Sequence, residues 1–372
     1  MIGLFEARSE ISLLPFLREN AARLSLIGPP AFLAALPAGL YDAQAQRLAG
    51  VPVLPLEPGT GTDAAISALA AAQPQDHVCV LAAPLGEDAA LRRLRAAHPG
   101  LRVVGLGAGL LPARVAQCPE AIFRPVPPQP ACTAVTLIFA PPRSGSSLVA
   151  DLVGHITGAR VREHLRKPLL DVLAAPYVFD RVAALQGFMS LIAVDGRAGS
   201  KLISHFVQTY LAGGDAAEDT LEGVRAACAT VAVKVIVIAR GNTVAQAVSG
   251  YLAMQRGVWH LQSQADAERL EAAAPVAYDF EGLLRLYRFY RRQDQVLDAA
   301  RERFPAHLAL EYDRDIAPGG TDALGSLIAS FLGLPWVAPE APLDRRRLAN
   351  AENAEMCRRF DEEFRARFGV AP

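Results

Sequence analysis

The segment that most constrains the fold is an apolar, β-branched run at residues 133–140 that leads through a small-residue turn into an amphipathic pattern. Apolar residues recur at helical spacing from about residue 146 to 157, which predicts a helix with one buried face. The turn between them, residues 141–147, reads PPRSGSS. Its backbone N–H groups can converge on an anion at the helix N-terminus, and Arg143 adds a forked, permanent cation. The segment therefore predicts an α/β domain with an anion-binding turn, to which an ordinary serine N-cap is the alternative.

A second strand, turn and helix follow further along the chain. Residues 231–239 form an apolar run, Arg240 stands where the strand should end, and a helix is predicted from residue 243 to about 256. Asn242 is a favourable N-cap for that helix. Open α/β sheets bind ligands at the carboxyl ends of their strands, so Arg240 and Ser249 form a candidate second anion site. The alternative is an arginine on a loop and a serine packed within the helix.

The chain is expected to divide at residues 124–130, where four prolines in seven residues are typical of a semi-rigid linker. The elements predicted in the preceding domain, residues 1–123, are strands at 24–28, 77–82 and 101–105 and helices at 63–73 and 87–98. The further elements predicted in the domain at 131–372 are a long helix at 280–303, a strand at 306–312 and a helix at 323–332. Alternation of strands and helices predicts parallel sheets with right-handed crossovers in both.

Composition narrows the class of protein. Of the 372 residues, 52% are hydrophobic and 20% charged, so the chain can bury large cores. A net charge of −1 gives no electrostatic argument for nucleic acid or membrane binding by the whole chain. The five cysteines form no CxxC pair and no Cys/His cluster, which argues against a disulfide framework and a zinc site. Without an apolar stretch of roughly 20 residues or a signal-peptide pattern, we expect a cytoplasmic protein with no transmembrane segment, and homo-oligomer formation stays open.

Both turns resemble donor-binding motifs of sulfotransferases. Residues 142–147 look like the 5′-phosphosulfate loop, and residues 240–249, RGNTVAQAVS, look like the 3′-phosphate motif. The continuation to His260 is similar to the bacterial trehalose 2-sulfotransferase-like family, whose members share a QAVS…GxWH pattern. Weaker matches follow in the expected order at residues 199–201, 308–312, 331–334 and 347–350.

The resemblance covers roughly residues 131–368 and implies a sulfotransferase fold, in which a P-loop-like parallel sheet is flanked by helices. It implies transfer of a sulfuryl group from 3′-phosphoadenosine 5′-phosphosulfate (PAPS) to a hydroxyl of a carbohydrate or glycolipid acceptor, without a metal. Arg143 and the amides of its turn would stabilise the charge that develops on the leaving phosphate, which gives Arg143 a catalytic role. The donor-binding residues that it implies are Arg143, Ser144, Gly145, Ser146, Ser147, Arg240, Ser249 and Arg347.

The resemblance also suggests a base and an acceptor site. The family places a glutamate soon after the first helix, and Glu163 matches it as the base for the acceptor hydroxyl. The adjacent His164 is the rival base, and a surface glutamate among arginines is the alternative to both. Trp259 and His260 are candidates for the acceptor site, because aromatic rings stack on sugar faces; a tryptophan packed in a core is the alternative.

Several features leave the acceptor and the function class open. Asn242 replaces the family's usual aspartate, and Arg256 replaces a common threonine before GxWH. A nucleotide-dependent phosphotransferase stays an alternative, although the first turn lacks the GK[ST] ending that such enzymes use. A PAPS- or anion-binding module with little catalysis, within a polysaccharide-biosynthesis assembly, is the other. The aromatic and basic segment at residues 287–292 of the long helix is interpreted as packing plus a solvated charged face.

Overall fold

The computed structural model describes the greater part of the chain. The described residues are 13–28, 41–42, 47–48, 51–55, 67–68, 71, 77–82, 87–110, 113, 122–123, 132–159, 161–162, 181–204, 221, 224–225, 228–259, 268, 270, 273–318, 320–340 and 351–372.

The chain forms two compact units, each made from more than one stretch of sequence. The first comprises Met1–Val135, His164–Ala198 and Tyr210–Val233; the second comprises Thr136–Glu163, Gly199–Thr209 and Lys234–Pro372. The proline-rich residues 124–130 lie outside the described residues, so the predicted linker and the domain division based on it stay predictions.

The described strands belong to two sheets. They are β1 (Leu24–Gly28), β2 (Tyr41–Asp42), β3 (Arg47–Leu48), β4 (Val51–Pro55), β5 (Val78–Leu81), β6 (Val103–Gly105), β7 (Ala134–Ala140), β8 (Val161–Arg162), β9 (Arg197–Ile203), β10 (Ala232–Ala239) and β11 (His307–Glu311). The described α-helices are α1 (Leu14–Glu19), α2 (Glu87–Ala97), α3 (Ser146–Thr157), α4 (Arg181–Ile192), α5 (Thr243–Arg256), α6 (Phe280–Arg303), α7 (Thr321–Leu332) and α8 (Ala351–Phe368). Single π-helical turns occupy Leu106–Leu110 and Tyr312–Ile316. None of the helices in these described ranges is long and apolar enough to cross a membrane.

The first sheet has the strand order β2-β3-β4-β1-β5-β6. Strand β1 pairs in parallel with β4 and β5, and β5 pairs in parallel with β6. Every residue of β1 and of β5 is buried, as expected of central strands in a parallel sheet. Leu91 and Leu94 of α2 pack into the same core as Ile27 and Leu81. The predicted α/β arrangement is thereby confirmed for the described elements, but the sheet is not parallel throughout, because β3 pairs antiparallel with both β2 and β4.

The second sheet has the order β11-β10-β7-β9-β8. Strands β10 and β11 pair in parallel, as do β8 and β9. The order places β9 on one side of β7 and β10 on the other, so the chain changes direction across the sheet at β7. Ligands of open α/β sheets bind beside the carboxyl ends of strands at such a switch point. The sheet therefore points to the turns that follow β7 and β10.

The helices that follow these two strands have clear local causes. Gly145 precedes α3 with a φ of 76°, and Gly158 ends it with a φ of 71°. The Asn242 side chain accepts a hydrogen bond from the Ala245 N–H at 2.8 Å, which confirms the predicted N-cap of α5. The apolar faces of α3 and α7 cover the sheet in one buried cluster with Ile138, Ile236 and Leu310. The predicted α/β fold, a sheet with parallel strands flanked by helices, is confirmed.

Five of the described strands were not predicted, namely β2, β3, β4, β8 and β9. β4 reads VPVLP, and its prolines argue against a strand because proline cannot donate to the ladder. β9 reads RAGSKLI, and its charged and small residues conceal a strand in which Ala198–Ile203 are all buried. The predicted helix at 63–73 lies largely outside the described residues.

Candidate functional site

The turn after β7 is held in one conformation by contacts on three sides. Ser144 is fully buried, and its hydroxyl donates to the Pro141 carbonyl at 2.7 Å. Gly145 needs its positive φ and its missing side chain, because a β-carbon there would lie 2.8 Å from Ile316 and 3.0 Å from the Tyr312 ring. Arg143 has a φ of 63°, which is uncommon for a non-glycine residue. These contacts fix the backbone of the turn and so the position of Arg143. The turn also leads to the first N–H groups of α3, which have no partner within the helix.

Arg143 connects this turn to α5 and to the segment that follows α5. Its Nε donates to the Ser249 hydroxyl at 3.0 Å, and its Nη1 donates to the Trp259 carbonyl. Burial lowers the pKa of Arg143, Tyr290 raises it and Arg240 lowers it again, but an arginine remains charged in proteins. The structure thus brings together Arg143 and Ser249, residues that the sequence assigned to two separate anion sites.

Arg240 lies at the end of β10 and reaches the same turn. Its Nη1 donates to the Arg143 carbonyl at 2.7 Å, and its guanidinium lies 4.4 Å from the centre of the Tyr312 ring. Burial lowers the pKa of Arg240, whereas Tyr312 and Asp313 raise it. Its Nε is buried and has no hydrogen-bond partner among the described residues. A buried donor without a partner costs free energy, so an acceptor that approached this Nε would be stabilised there.

The two guanidinium groups lie together and carry two positive charges that a bound anion would neutralise. They lie close enough for Arg240 to lower the pKa of Arg143, and both side chains are partly buried. Within the described part of the chain neither forms an ion pair with a carboxylate. Two like charges away from bulk water repel each other, and an anion between them would offset that repulsion. The two turns that the sequence analysis treated as separate anion sites therefore lie together in the structure.

A third cation reaches the turn from β9. Lys201 is only 5% exposed, and its Nζ donates to the Ser147 hydroxyl at 3.3 Å. The sequence matched residues 199–201 to a family segment but assigned Lys201 no role in the site. Its position follows from the strand order, because β9 lies directly beside β7.

Further hydrogen bonds fasten α5 to the first turn. Gln246 is buried, and its Nε2 donates to the Pro142 carbonyl at 2.7 Å. The Asn242 N–H donates to Asp313 at 3.1 Å.

Trp259, which follows α5, keeps 41% of its surface exposed, so this tryptophan is not packed in a core. An exposed indole beside the carbonyl that holds Arg143 is suited to contact a second substrate.

Arg256, which replaces the family's threonine, has a structural partner. It forms a salt bridge with Glu352 of α8, and the second oxygen of Glu352 accepts the Val276 N–H at 2.9 Å. Arg256 thus fastens the C-terminal end of α5 to α8. Sequence reasoning missed this pair because the two residues are distant in the chain.

Four of the predicted site residues cannot be placed. Glu163, His164, His260 and Arg347 lie outside the described residues, so their roles stay predictions.

Comparison with known families agrees with this geometry. The family model of the Stf0 sulphotransferases matches residues 135–363, which is more than half of the chain and includes both turns. A comparison with curated proteins finds no match. The match confirms the resemblance inferred from the two turns. The chain therefore belongs to the Stf0 sulphotransferase family and carries its sulfotransferase activity.

Proposed function

We propose that the enzyme transfers a sulfuryl group from PAPS to a hydroxyl of a carbohydrate or glycolipid. The observation that carries the proposal is the convergence of Arg143 and Arg240 on one turn at the switch point of the sheet. A donor with phosphate groups at both the 3′ and the 5′ positions supplies the negative charge that this pair of cations lacks. The proposal thus rests on charge and on the position of the turn in the fold.

The residues present fit such a donor. The free N–H groups at the start of α3, together with Arg143, suit the 5′-phosphosulfate. Arg240 and Ser249 suit the 3′-phosphate, and the partnerless Arg240 Nε supports this because a phosphate oxygen would satisfy it. Ser144 and Gly145 belong to the turn itself, and Ser146 and Ser147 begin α3. Arg347 is a further proposed contact to the 3′-phosphate, from sequence alone.

Catalysis would depend on stabilising negative charge as the sulfuryl group leaves. The S–O bond to the donor phosphate breaks while a bond forms to the acceptor oxygen, and negative charge grows on the bridging oxygen. Arg143 and the turn amides would stabilise that charge, and Lys201 adds a cation at Ser147. PAPS carries the sulfuryl group; the protein orients it and neutralises the leaving phosphate. This chemistry needs no metal ion.

The acceptor hydroxyl must lose its proton during the transfer. We propose Glu163 as the base, with His164 as the rival, and Trp259 with His260 as contacts to the sugar. The exposure of Trp259 supports its part of this assignment. Turnover of PAPS by Glu163→Gln and by His164→Gln distinguishes the two bases. Near-wild-type turnover in a folded variant would remove that residue from the mechanism.

Calorimetry with adenosine 3′,5′-bisphosphate, the product of the donor, tests the proposed function. We expect tight binding that is the same with and without magnesium, and a large loss in Arg143→Ala. Binding that requires magnesium would favour a phosphotransferase, and no binding in either condition would refute PAPS as the donor. Binding without sulfuryl transfer to any carbohydrate would instead favour the anion-binding module. Cytoplasmic location and homo-oligomer formation stay predictions.

A further inference from the structure

A buried tyrosine next to the two arginines has an unused hydroxyl. Tyr290 lies on α6 and is 3% exposed. Its ring packs edge-on against Phe289 at 5.2 Å between centroids. No described residue forms a hydrogen bond with its phenol oxygen. Packing alone would be served as well by phenylalanine, so the hydroxyl needs a separate explanation.

Other tyrosines of the same unit show what a paired phenol looks like. The hydroxyl of Tyr251 donates to the Ala277 carbonyl at 3.1 Å, and that of Tyr278 donates to Glu363 at 3.0 Å. Polar atoms of buried side chains in proteins usually have a hydrogen-bond partner. Tyr290 has no such partner among the described residues, it is more deeply buried than Tyr287 on the same helix, and it lies beside the two arginines, which makes its hydroxyl a candidate to bind a ligand.

The position of the hydroxyl is fixed by the backbone of α5. A β-carbon on Gly250 would lie 2.5 Å from the phenol oxygen, so the hydroxyl rests directly against Gly250. The preceding residue, Ser249, accepts the hydrogen bond from Arg143. The Tyr290 hydroxyl thus lies beside the residues that resemble the 3′-phosphate motif.

The charges around Tyr290 suit a hydrogen-bond donor. Burial raises the pKa of Tyr290 to about 12, although Arg143 and Arg240 both act to lower it. The phenol therefore remains protonated at neutral pH, and its proton is available to an anion held by the two arginines.

We propose that the Tyr290 hydroxyl donates a hydrogen bond to the 3′-phosphate of the bound donor and helps the enzyme select 3′-phosphorylated nucleotides. The inference rests on the proposed function, because it takes the anion at Arg240 and Ser249 to be that phosphate. It assigns the phosphate a side-chain donor in addition to Arg240, Ser249 and Arg347, in a segment that the sequence analysis interpreted as packing plus a solvated charged face. The glycine at position 250 then has a purpose, since a side chain there would push the hydroxyl away.

The test compares two nucleotides that differ only at the 3′ position. Affinities for adenosine 3′,5′-bisphosphate and adenosine 5′-monophosphate are measured by calorimetry, the weaker one by displacement. Tyr290→Phe is compared with the wild type and with Tyr287→Phe, which removes a hydroxyl from the same helix away from the arginines. We expect Tyr290→Phe to bind the bisphosphate about tenfold more weakly, or by about 1.4 kcal/mol, because it loses one hydrogen bond to a charged group. We expect its affinity for the monophosphate, and both affinities of Tyr287→Phe, to stay unchanged.

The outcomes separate the two levels of the proposal. Unchanged bisphosphate binding by Tyr290→Phe, or an equal loss for both nucleotides, would overturn the role of Tyr290 while leaving the donor assignment intact. A wild type that binds neither nucleotide would refute the proposed function and this role with it. Gly250→Ala, which displaces the hydroxyl without removing it, should reproduce the selective loss. That second variant keeps the test decisive if Tyr290→Phe folds poorly.

Discussion

The contact between Tyr290 and Gly250 gives a prediction whose sign changes with the background. Gly250 is buried within α5, and replacing a helix-interior glycine by alanine normally stabilises a helix by about 1 kcal/mol. Here the new β-carbon would lie 2.5 Å from the Tyr290 oxygen, a distance at which one group must move. Overpacking of this kind costs about 1–3 kcal/mol. We therefore expect Gly250→Ala to lower the free energy of unfolding by up to about 2 kcal/mol in the wild type.

Removing the hydroxyl should abolish this cost. In Tyr290→Phe the nearest atoms to the new β-carbon would be ring carbons at 3.2 and 3.3 Å, which need a shift of only a few tenths of an ångström. The helix-propensity gain then remains, so Gly250→Ala should be neutral or stabilising in that background. The four proteins form a double-mutant cycle with a coupling free energy of about 1–3 kcal/mol.

Urea unfolding followed by tryptophan fluorescence measures the cycle. The two tryptophans of the chain are Trp259 and Trp336, and both belong to the second unit, as do Gly250 and Tyr290. The fluorescence therefore reports the unit that the substitutions affect, although the chain has two units. An equal cost of Gly250→Ala in both backgrounds would refute the placement of the hydroxyl against α5.

Three other variants test separate parts of the structure. Burial raises the pKa of Glu352, but the Val276 amide and Arg256 lower it by more, so the folded pKa lies below the ordinary value. The Glu352 carboxylate therefore stabilises the fold fully above the unfolded pKa of about 4.3, and this stabilisation is lost as the pH falls through the lower folded pKa. Urea unfolding at neutral and acidic pH should accordingly show a smaller acid-induced loss for Glu352→Gln than for the wild type, and identical pH profiles would contradict the pairing. Gly145→Ala should destabilise the protein by about 2 kcal/mol or more in the same assay and abolish nucleotide binding, because it combines a positive φ with a clash; full binding would disprove the tight turn. Lys201→Met should weaken adenosine 3′,5′-bisphosphate binding about tenfold in calorimetry, and an unchanged affinity would remove Lys201 from the site.

The local elements of the second unit could be predicted because their signals are local. The run at 133–140 is long, apolar and β-branched, and the structure has a strand at Ala134–Ala140. The helix predicted from residue 243 to about 256 begins and ends there, since Asn242 caps it and Gly257 terminates it in the left-handed region. Periodicity and capping residues decide such elements without help from the rest of the chain.

Which residues come together in the candidate site was harder to predict from the sequence. Arg143 and Ser249 meet across 106 residues of sequence, and only the order of strands around β7 brings them together. Lys201 lies in a strand whose polar residues hide its periodicity, so no local signal marks it as buried at Ser147. The pairing of strands that are distant in the sequence places these groups, and no local sequence pattern reveals that pairing.

Tyr290 shows a different limit. From helical periodicity we interpret the aromatic and basic segment at residues 287–292 as packing plus a solvated face, and Tyr290 is buried in the structure. Periodicity describes which side of a helix is apolar, but it carries no information about whether a hydroxyl at the end of a buried ring has a partner. The place of the oxygen depends instead on the facing helix, where Gly250 has no side chain and so leaves room for it.

The most direct test of the central claim is transfer of radioactive sulfur from two donors that differ only in the 3′-phosphate. Wild-type enzyme is incubated with a carbohydrate and glycolipid extract and either labelled PAPS or labelled adenosine 5′-phosphosulfate, with Arg240→Ala as the matched variant. We predict that label reaches a hydroxyl of the acceptor fraction from PAPS far faster than from adenosine 5′-phosphosulfate, and that Arg240→Ala loses this preference. Equal rates from both donors, or no transfer from PAPS, would contradict a site built from Arg143 and Arg240 to hold a doubly phosphorylated donor.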